Sequence, residues 1–406
     1  MKVSYRIKFI TLVSLMLACA ANAQDTTKMD PELYQPVVEN LIDSYLPKAK
    51  EDHLAVGTYH PMKFYVDYTR IAFIKNSNSK AWDILTNTLI PTLTEHVSST
   101  YYVAETANIQ VTVDSCFKAL NTRNIVPNNT NVDFVLIFYA DITAASGFFA
   151  TCGGCQFHPT TGRAVVGGLN LNYTQLKGDP KKNLDYLGIL IHEVNHALGF
   201  SGWAFKRYRY KGSYQMRPAT EIVQTISGRT TIVSTKIKQM ATTYFSCPNA
   251  PGIPVEDEGS SGSAGSHWET TAMGNDIQVA MSPTNNKLSP FTMQLLNESG
   301  FYQINWTMEE AFTYGKGKGC PILKGQCSAS ENYCTKRGPN GCFFDHTTGG
   351  YCTTTPFSNG CMFKMGYSDC RDSTNPYKKY EQGSGMTYGP GARCFTGNIS
   401  PYYQNL

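Results

Sequence analysis

The residues whose spacing most clearly suggests chemistry are His192, Glu193 and His196, within the segment His-Glu-Val-Asn-His. Side chains four residues apart lie on one face of an α-helix, so the two imidazoles can bind the same ion. Glu193 is offset toward the open side of such a metal, where a bound water would lie. The alternative is a pair of satisfied core histidines, but an HExxH motif arises by chance in roughly one such chain in a hundred. The spacing predicts a hydrolytic zinc site.

A catalytic zinc ion takes three protein ligands and keeps one position open for water. A compact HExxHxxGxxH motif would need a histidine at position 202, which is Gly202. The third ligand must therefore come from elsewhere in the chain. The other histidines beyond residue 23 are His53, His60, His96, His158, His267 and His346.

A long helix is predicted to carry the motif. Asp179 can cap its N-terminus, Pro180 suits the first helical position, and Gly199 suits its end. One broad apolar face follows the helical period. It consists of Leu184, Leu187, Leu190, Ile191, Val194 and Leu198.

Other segments have clear periodicity as well. Alternating or densely apolar runs predict strands at residues 60–68, 131–140 and 163–172. Helical spacing predicts a helix at 80–99, which Pro91 should kink or split, and another at 290–299. Residues 200–265 are rich in Gly, Ser and Thr and are predicted to be irregular.

The N-terminus is typical of a signal peptide at residues 1–23, with basic residues, an apolar run and the small residues Ala21-Asn22-Ala23. A membrane anchor is the alternative, although the apolar run is short for a span. Removing this segment takes away three basic residues and lowers the formal charge from +4 to +1. That near-neutral charge argues against nucleic acid as a partner. Residues 24–55 are predicted to be a short leader or pro-segment.

Cysteine usage fits an exported protein. Of 13 cysteines, Cys19 lies in the signal peptide, which leaves 12 and up to six disulfides of undetermined connectivity. Eight lie between Cys320 and Cys394, where disulfides must replace a hydrophobic core. Five Asn-x-Ser/Thr sequons predict glycosylation. They begin at Asn128, Asn172, Asn297, Asn305 and Asn398.

Two separated segments resemble the leishmanolysin family of metzincin zinc endopeptidases: HEVNHALGF at 192–200 and VEDEGSSGSAGSHW at 255–268. The resemblance covers roughly residues 60–320. It implies that His267 is the third zinc ligand and that Met281, in Val-Ala-Met-Ser-Pro, forms the turn beneath the metal. Upstream, Cys155-Gln156 and residues 162–170 resemble the family's edge strand along which substrates bind, and we expect the substrate backbone to pair with the strand at 163–172. The candidate strand residues are Val166, Gly167, Gly168 and Leu169.

The resemblance implies an α+β fold: a mixed sheet with the active-site helix, followed by a disulfide-rich module. The expected division is an N-terminal catalytic subdomain at 56–199, a C-terminal catalytic subdomain at 200–315 and a cysteine-rich module at 316–406. Family pairing implies disulfides between Cys247 and Cys320 and between Cys116 and the Cys155 region. Cys152 is then left to pair with an unassigned module cysteine. We interpret Cys152-Gly-Gly-Cys155 as structural cysteines rather than a redox pair.

The predicted function is that of a secreted zinc-dependent endopeptidase with one catalytic zinc ion, acting on proteins or peptides. In this hypothesis Glu193 activates the zinc-bound water and passes its proton to the leaving amine. We expect a monomer with no transmembrane span and no nucleic-acid partner. The alternative is a non-enzymatic adhesin or surface-binding protein on a metalloprotease scaffold. The basic run at 206–211 favours either acidic substrates or a solvated loop.

Overall fold

A computed structural model describes residues 59–104, 107–109, 131–140, 149–159, 161–176, 180–211, 213, 215–259, 263–281, 285–371, 388–389 and 391–395. The predicted signal peptide and leader lie outside these residues, as does Cys116. Among the described residues, no helix is both long and apolar enough to cross a membrane.

Most of the helices in the described residues are short, and the longest, α4, carries the motif. They are α1 Ile74–Ser77, α2 Ser79–Ile84, α3 Ile90–Thr100, α4 Pro180–Leu198, α5 Gly202–Phe205, α6 Thr235–Tyr244, α7 Thr270–Met273, α8 Pro290–Glu298 and α9 Cys320–Leu323.

The strands form several small sheets around one central sheet. They are β1 His60–Pro61, β2 Phe64–Asp67, β3 Tyr101–Val103, β4 Ala107–Asn108, β5 Asn131–Val132, β6 Phe134–Tyr139, β7 Ala150–Phe157, β8 Ala164–Leu171, β9 Val223–Ile226, β10 Arg229–Ile232, β11 Ile253–Pro254, β12 Gln303–Ile304, β13 Gly338–Cys342, β14 Thr348–Thr353 and β15 Phe363–Asp369. The mixed helix-and-sheet architecture confirms the predicted fold class.

The central sheet has the order β2-β6-β8-β7. Strands β2, β6 and β8 are parallel, whereas β7 runs antiparallel to β8 and forms one edge. Helix α4 packs on this sheet through side chains three and four residues apart, the spacing that places residues on one helical face. These buried side chains are Leu187, Leu190, Ile191, Val194, Ala197 and Leu198.

The prediction that residues 163–172 form the substrate-binding edge strand is wrong. Val166, Gly167, Gly168 and Leu169 all lie in β8, which is hydrogen-bonded to strands on both sides. A Cβ atom on Gly167 would lie 2.7 Å from the Phe134 ring and 3.2 Å from Cβ of Ala197. The glycine therefore allows the sheet to pack closely beneath α4, and β7 is an edge of the sheet that the described residues form.

The predicted helix at 80–99 forms with a defect that its proline explains. A π-helical turn at Leu85–Leu89 separates α2 from α3, and the N–H of Ile90 donates to the carbonyl of Leu85. Pro91 has no N–H to continue the regular ladder, so the wider turn falls just before it. The predicted strand at 60–68 is likewise divided, into β1 and β2, which belong to different sheets.

The segment after α4 is more regular than its composition suggests. Strands β9 and β10 form an antiparallel hairpin, and β11 pairs with β10. Helix α6 buries Ile237 and Ala241. The prediction that residues 200–265 are irregular is therefore wrong for these elements.

Disulfides dominate the described part of the cysteine-rich module. The bond that the family resemblance implied, between Cys247 and Cys320, is present. Three more lie within the module: Cys327–Cys361, Cys334–Cys352 and Cys342–Cys394.

The two cysteines of the CGGC segment have different states. Cys155 is in a disulfide, and its expected partner Cys116 lies outside the described residues. Cys152 is a free, half-buried thiol on β7, so the expectation that it pairs with the module is wrong. Its strand lies against α4.

Candidate metal centre

Three imidazoles converge at one point beside the central sheet. His192 and His196 extend from one face of α4, and His267 comes from the segment between β11 and α7. Their Nε2 atoms are 3.0 Å apart for His192 and His196, 3.0 Å for His196 and His267, and 3.1 Å for His192 and His267. The structure therefore brings together the three residues predicted as metal ligands.

The protonation of these rings follows from their outer contacts. Each Nδ1 lies within hydrogen-bond distance of a backbone carbonyl oxygen, which can only accept, so each Nδ1 must carry the proton. All three Nε2 atoms then present lone pairs to one another. The pairs are His192 with Ile277 at 2.5 Å, His196 with Phe200 at 2.6 Å and His267 with Ser263 at 2.9 Å.

Burial keeps these imidazoles neutral. It lowers the pKa of His192 to about 3, with a further contribution from the charge of His267. Burial also lowers the pKa of His196 well below its ordinary value, and that of His267 in the same direction. A ligand imidazole must be unprotonated at Nε2, so the environment prepares all three rings for a metal.

The donor set fits zinc. Three lone pairs within 3.1 Å of one another repel unless a cation lies between them, and no hydrogen is available at Nε2 to relieve the repulsion. Zn–N bonds of about 2.0–2.1 Å place ligand nitrogens roughly 3.3 Å apart in a tetrahedral site, close to the observed separations. Three protein ligands leave the fourth position open, which is the arrangement of catalytic rather than structural zinc sites.

Glu193 follows His192 on helix α4. Its side chain is buried, and burial raises its pKa to about 8, an effect that the backbone N–H of Cys152 partly offsets by donating to the carboxylate. A carboxyl group whose pKa lies near neutrality can accept and return a proton under physiological conditions. The edge strand β7 thus holds the Glu193 carboxyl group.

The C-terminus of α4 is fixed by its own turn and by two tyrosines. Gly199 has a φ of +130° and its N–H donates to the carbonyl of Asn195, as expected at a helix end. The turn directs the Phe200 carbonyl back to His196. Tyr302 and Tyr208 donate their hydroxyls to the carbonyls of Leu198 and Gly199, which satisfies backbone acceptors that the helix leaves unpaired.

Asn195 links the middle of the motif to the segment that supports His192. It accepts from the Tyr101 hydroxyl at 2.7 Å and donates to Gln278 at 3.2 Å. The N–H of Gln278 in turn donates to Asp276 at 2.6 Å. This chain of contacts holds the 276–278 segment, and with it the Ile277 carbonyl, against the helix.

Met281 lies four residues after Ile277 and is half-buried. Its segment therefore approaches the candidate ligands from the side of His192, and its place beneath the metal stays a prediction. Residues 282–284, which would complete the turn, lie outside the described residues.

Sequence reasoning missed the groups that orient the ligands. The carbonyls of Phe200, Ser263 and Ile277 belong to the backbone, so no residue type signals their role. The same holds for the Cys152 N–H at Glu193. Asp276 was detectable only as a carboxylate next to an apolar run.

Comparison with known proteins agrees with this geometry. The family model described as leishmanolysin matches residues 77–365. The chain is 27% identical to leishmanolysin of Leishmania major over 211 residues, covering 50% of this chain and 32% of that protein.

Two further relatives are named ciliated left-right organizer metallopeptidase. The Homo sapiens protein is 27% identical over 268 residues, covering 62% of this chain and 33% of its own length. The Danio rerio protein is 27% identical over 293 residues, covering 68% of this chain and 46% of its own. The chain thus spans about a third to a half of the length of these relatives.

Proposed function

Because the chain belongs to the leishmanolysin family of zinc metallopeptidases, we propose that it is a zinc-dependent endopeptidase that hydrolyses peptide bonds in proteins. The observation that carries this proposal is the convergence of three Nε2 lone pairs beside a buried carboxyl group. His192, His196 and His267 are the proposed ligands of one zinc ion. The proposed route is export, which fits the four disulfides formed by described cysteines.

Zinc, when bound, would supply a Lewis acid that polarises the scissile carbonyl and acidifies a water molecule. Glu193 would take the proton from that water on its carboxylate and return it to the leaving amine. The Cys152 N–H orients this carboxylate through its hydrogen bond. The carbonyls that accept from the Nδ1 atoms keep each Nε2 turned toward the site.

The free edge of β7 offers a place for the substrate backbone. Strand β7 pairs only with β8 in the described sheet, and it runs along α4 past Glu193. An extended peptide can add to such an edge through main-chain hydrogen bonds. The exposed Thr151 and Gly153 lie on this strand and leave its surface open. A peptide bound in this way would have its scissile bond close to Glu193.

The Glu193→Gln variant tests the proposal. We expect it to keep one zinc ion per chain, because Glu193 is not a ligand, and to lose cleavage of casein by about a hundredfold to ten-thousandfold. A zinc chelator should abolish cleavage by the natural chain. A chain that acts only as an adhesin would show no cleavage in either form, and undiminished proteolysis by the variant would contradict the role of Glu193.

A further inference from the structure

An exposed aromatic and cationic cluster lies beyond the metal centre. The Trp203 side chain is 45% exposed, although large aromatic rings are usually well covered. The Arg207 guanidinium carbon lies 4.4 Å from the centroid of the Trp203 ring. The Phe157 ring lies 4.7 Å from Trp203 on another side. We call these three residues the Trp203 platform.

An irregularity in β7 places Phe157 on this platform. Gly154 pairs with Gly167 of β8 but Gln156 pairs with Val166, so β7 contains one extra residue here; Phe157 then pairs with Ala164, so β8 contains one extra residue just beyond. Such a bulge changes the side to which the following residues point. Cys155 consequently belongs to the apolar cluster on one face of the sheet, while the Phe157 ring reaches the α4 side, 3.1 Å from the position of a Cβ atom on Gly154.

The platform continues the path along which we expect the substrate to bind. The strand and the helical segment run side by side, and successive contacts occur in the same order on both. These contacts are Cys152 with Glu193, Gly154 with Ala197, and Phe157 with Trp203. The five residue steps from Cys152 to Phe157 span roughly 17 Å of extended chain. A peptide on the free edge of β7 would therefore reach the platform about five residues from its scissile bond.

The helix that carries Trp203 is held against the metal centre. Helix α5 begins at Gly202, where a Cβ atom would lie 2.7 Å from the carbonyl oxygen of Gly265. The N–H of Gly202 donates to the Ser266 hydroxyl, next to His267. The platform is thus packed on the same segment that provides the third candidate ligand, which makes its position relative to the site well defined.

Arg207 is available for a negatively charged partner. It is exposed, and among the described residues no carboxylate lies within ion-pair distance of it. Stacking on an indole holds a guanidinium in place while its N–H groups, which lie in the guanidinium plane, stay free to donate. Such a planar donor pair matches the two oxygens of a carboxylate.

We propose that the Trp203 platform is a specificity subsite that binds an acidic side chain of the substrate, about five residues from the scissile bond. The proposal rests on the proposed peptidase function. Arg207 would donate to the Glu or Asp carboxylate, and Trp203 would contact the methylene groups. Within the basic run at 206–211, Arg207 would then contribute to substrate choice.

Profiling of cleavage sites tests this proposal. The natural chain, Arg207→Ala and Lys206→Ala would each digest the same proteome-derived peptide library, and mass spectrometry would locate the cut bonds. Lys206 is a matched control because it is exposed in the same loop but does not stack on Trp203. We expect Asp and Glu to be enriched about threefold to tenfold at a position four to six residues from the cut, on one side of it.

Arg207→Ala should lose this enrichment and Lys206→Ala should keep it. Arg207→Lys should restore only part of it, because an ammonium group cannot form the bidentate contact. The absence of any acidic preference at that position, or its persistence in Arg207→Ala, would overturn the proposal.

A binding measurement separates this proposal from the peptidase proposal. Zinc-loaded Glu193→Gln would be titrated with a Thr/Val peptide that carries Glu about five residues to each side of its centre, and with the matching Gln peptide. We expect the Glu peptide to bind more tightly at low salt, and we expect Arg207→Ala in the same background to remove the difference. Equal affinities would contradict the subsite, whereas tighter Glu binding without cleavage by the natural chain would contradict only the peptidase function.

Discussion

The metal-binding part of the chain is held by apolar packing around α4, whereas the cysteine-rich module is held mainly by disulfides. Apolar side chains of α4 between Leu187 and Leu198 are buried against the sheet and its neighbours. Among the described residues from 320 onward, half of the buried apolar residues are disulfide cysteines. They are Cys334, Cys342, Cys352 and Cys361, beside Ile322, Leu323, Phe343 and Phe363.

The two regions differ in how they accommodate buried polar groups. Around α4 a buried polar atom needs a protein partner, and Asn195, Trp268 and Tyr302 each have one. In the module, covalent bonds restrict the unfolded chain, so a small core suffices. A functional site that requires fixed imidazoles therefore lies in the packed region.

Removal of one module disulfide should have the largest effect on stability and should separate the two regions. Cys327 and Cys361 close a loop with a sequence separation of 34, for which the chain-entropy relation gives about 3.8 kcal/mol. We expect Cys327→Ser with Cys361→Ser to make the module sensitive to proteolysis while the chain still binds one zinc ion. Limited proteolysis and zinc analysis would measure this. Loss of zinc together with the module would show that the two regions unfold as one.

Asn195→Ala should weaken the packed region by about 2 kcal/mol. The substitution leaves the buried hydroxyl of Tyr101 without its acceptor and Gln278 without its donor. Denaturant unfolding would give the change in free energy. Asn297→Ala is a matched control, because its partner Lys211 is solvent-exposed, and it should change stability by less than about 0.5 kcal/mol. Equal changes in the free energy of unfolding for the two variants would show that the buried contacts of Asn195 contribute no more to stability than the exposed contact of Asn297.

Asp276 should make the stability of the packed region depend on pH. Burial raises its pKa to about 7, although Ser289, Thr292 and the N–H of Gln278 all donate to it. Between about pH 4 and 7 the folded chain keeps a proton that the unfolded chain releases, so this contribution to stability falls as pH rises and is constant above that window.

We expect Asp276→Asn to reduce the loss of stability between pH 4 and 7, by at most about 1.4 kcal/mol per pH unit relative to the natural chain. Unfolding curves across this range would measure it. Parallel pH profiles for both proteins would contradict the assignment.

The sequence predicted the parts of this molecule that depend on residue type and period. HExxH, the apolar face of α4, Gly199 and the downstream His267 all carry such signals, and the structure places the histidines together. The sequence of helix α6 also contains a helical apolar pattern, which the Ser- and Thr-rich composition of the segment obscured. Its Ile237, Met240, Ala241 and Tyr244 follow the helical period.

Other features depended on tertiary contacts that no local pattern encodes. The family resemblance implied that the glycine pair of β8 lies on the substrate-binding edge strand, yet Gly167 packs against Phe134 and Ala197 within the protein. The free thiol of Cys152 depends on which cysteines come into reach after folding. The backbone carbonyls that orient the imidazoles are present in every residue, so the sequence gives no signal of their role.

Zinc titration of the natural chain, His267→Ala and His346→Ala tests the central claim most directly. Even contacts outside the ligand set alter zinc affinity by about tenfold to a hundredfold, so loss of a ligand should cost more than about a hundredfold. The account predicts one zinc ion per chain in the natural protein and in His346→Ala, with greatly weakened binding in His267→Ala. Stoichiometric zinc bound with undiminished affinity by His267→Ala would contradict it.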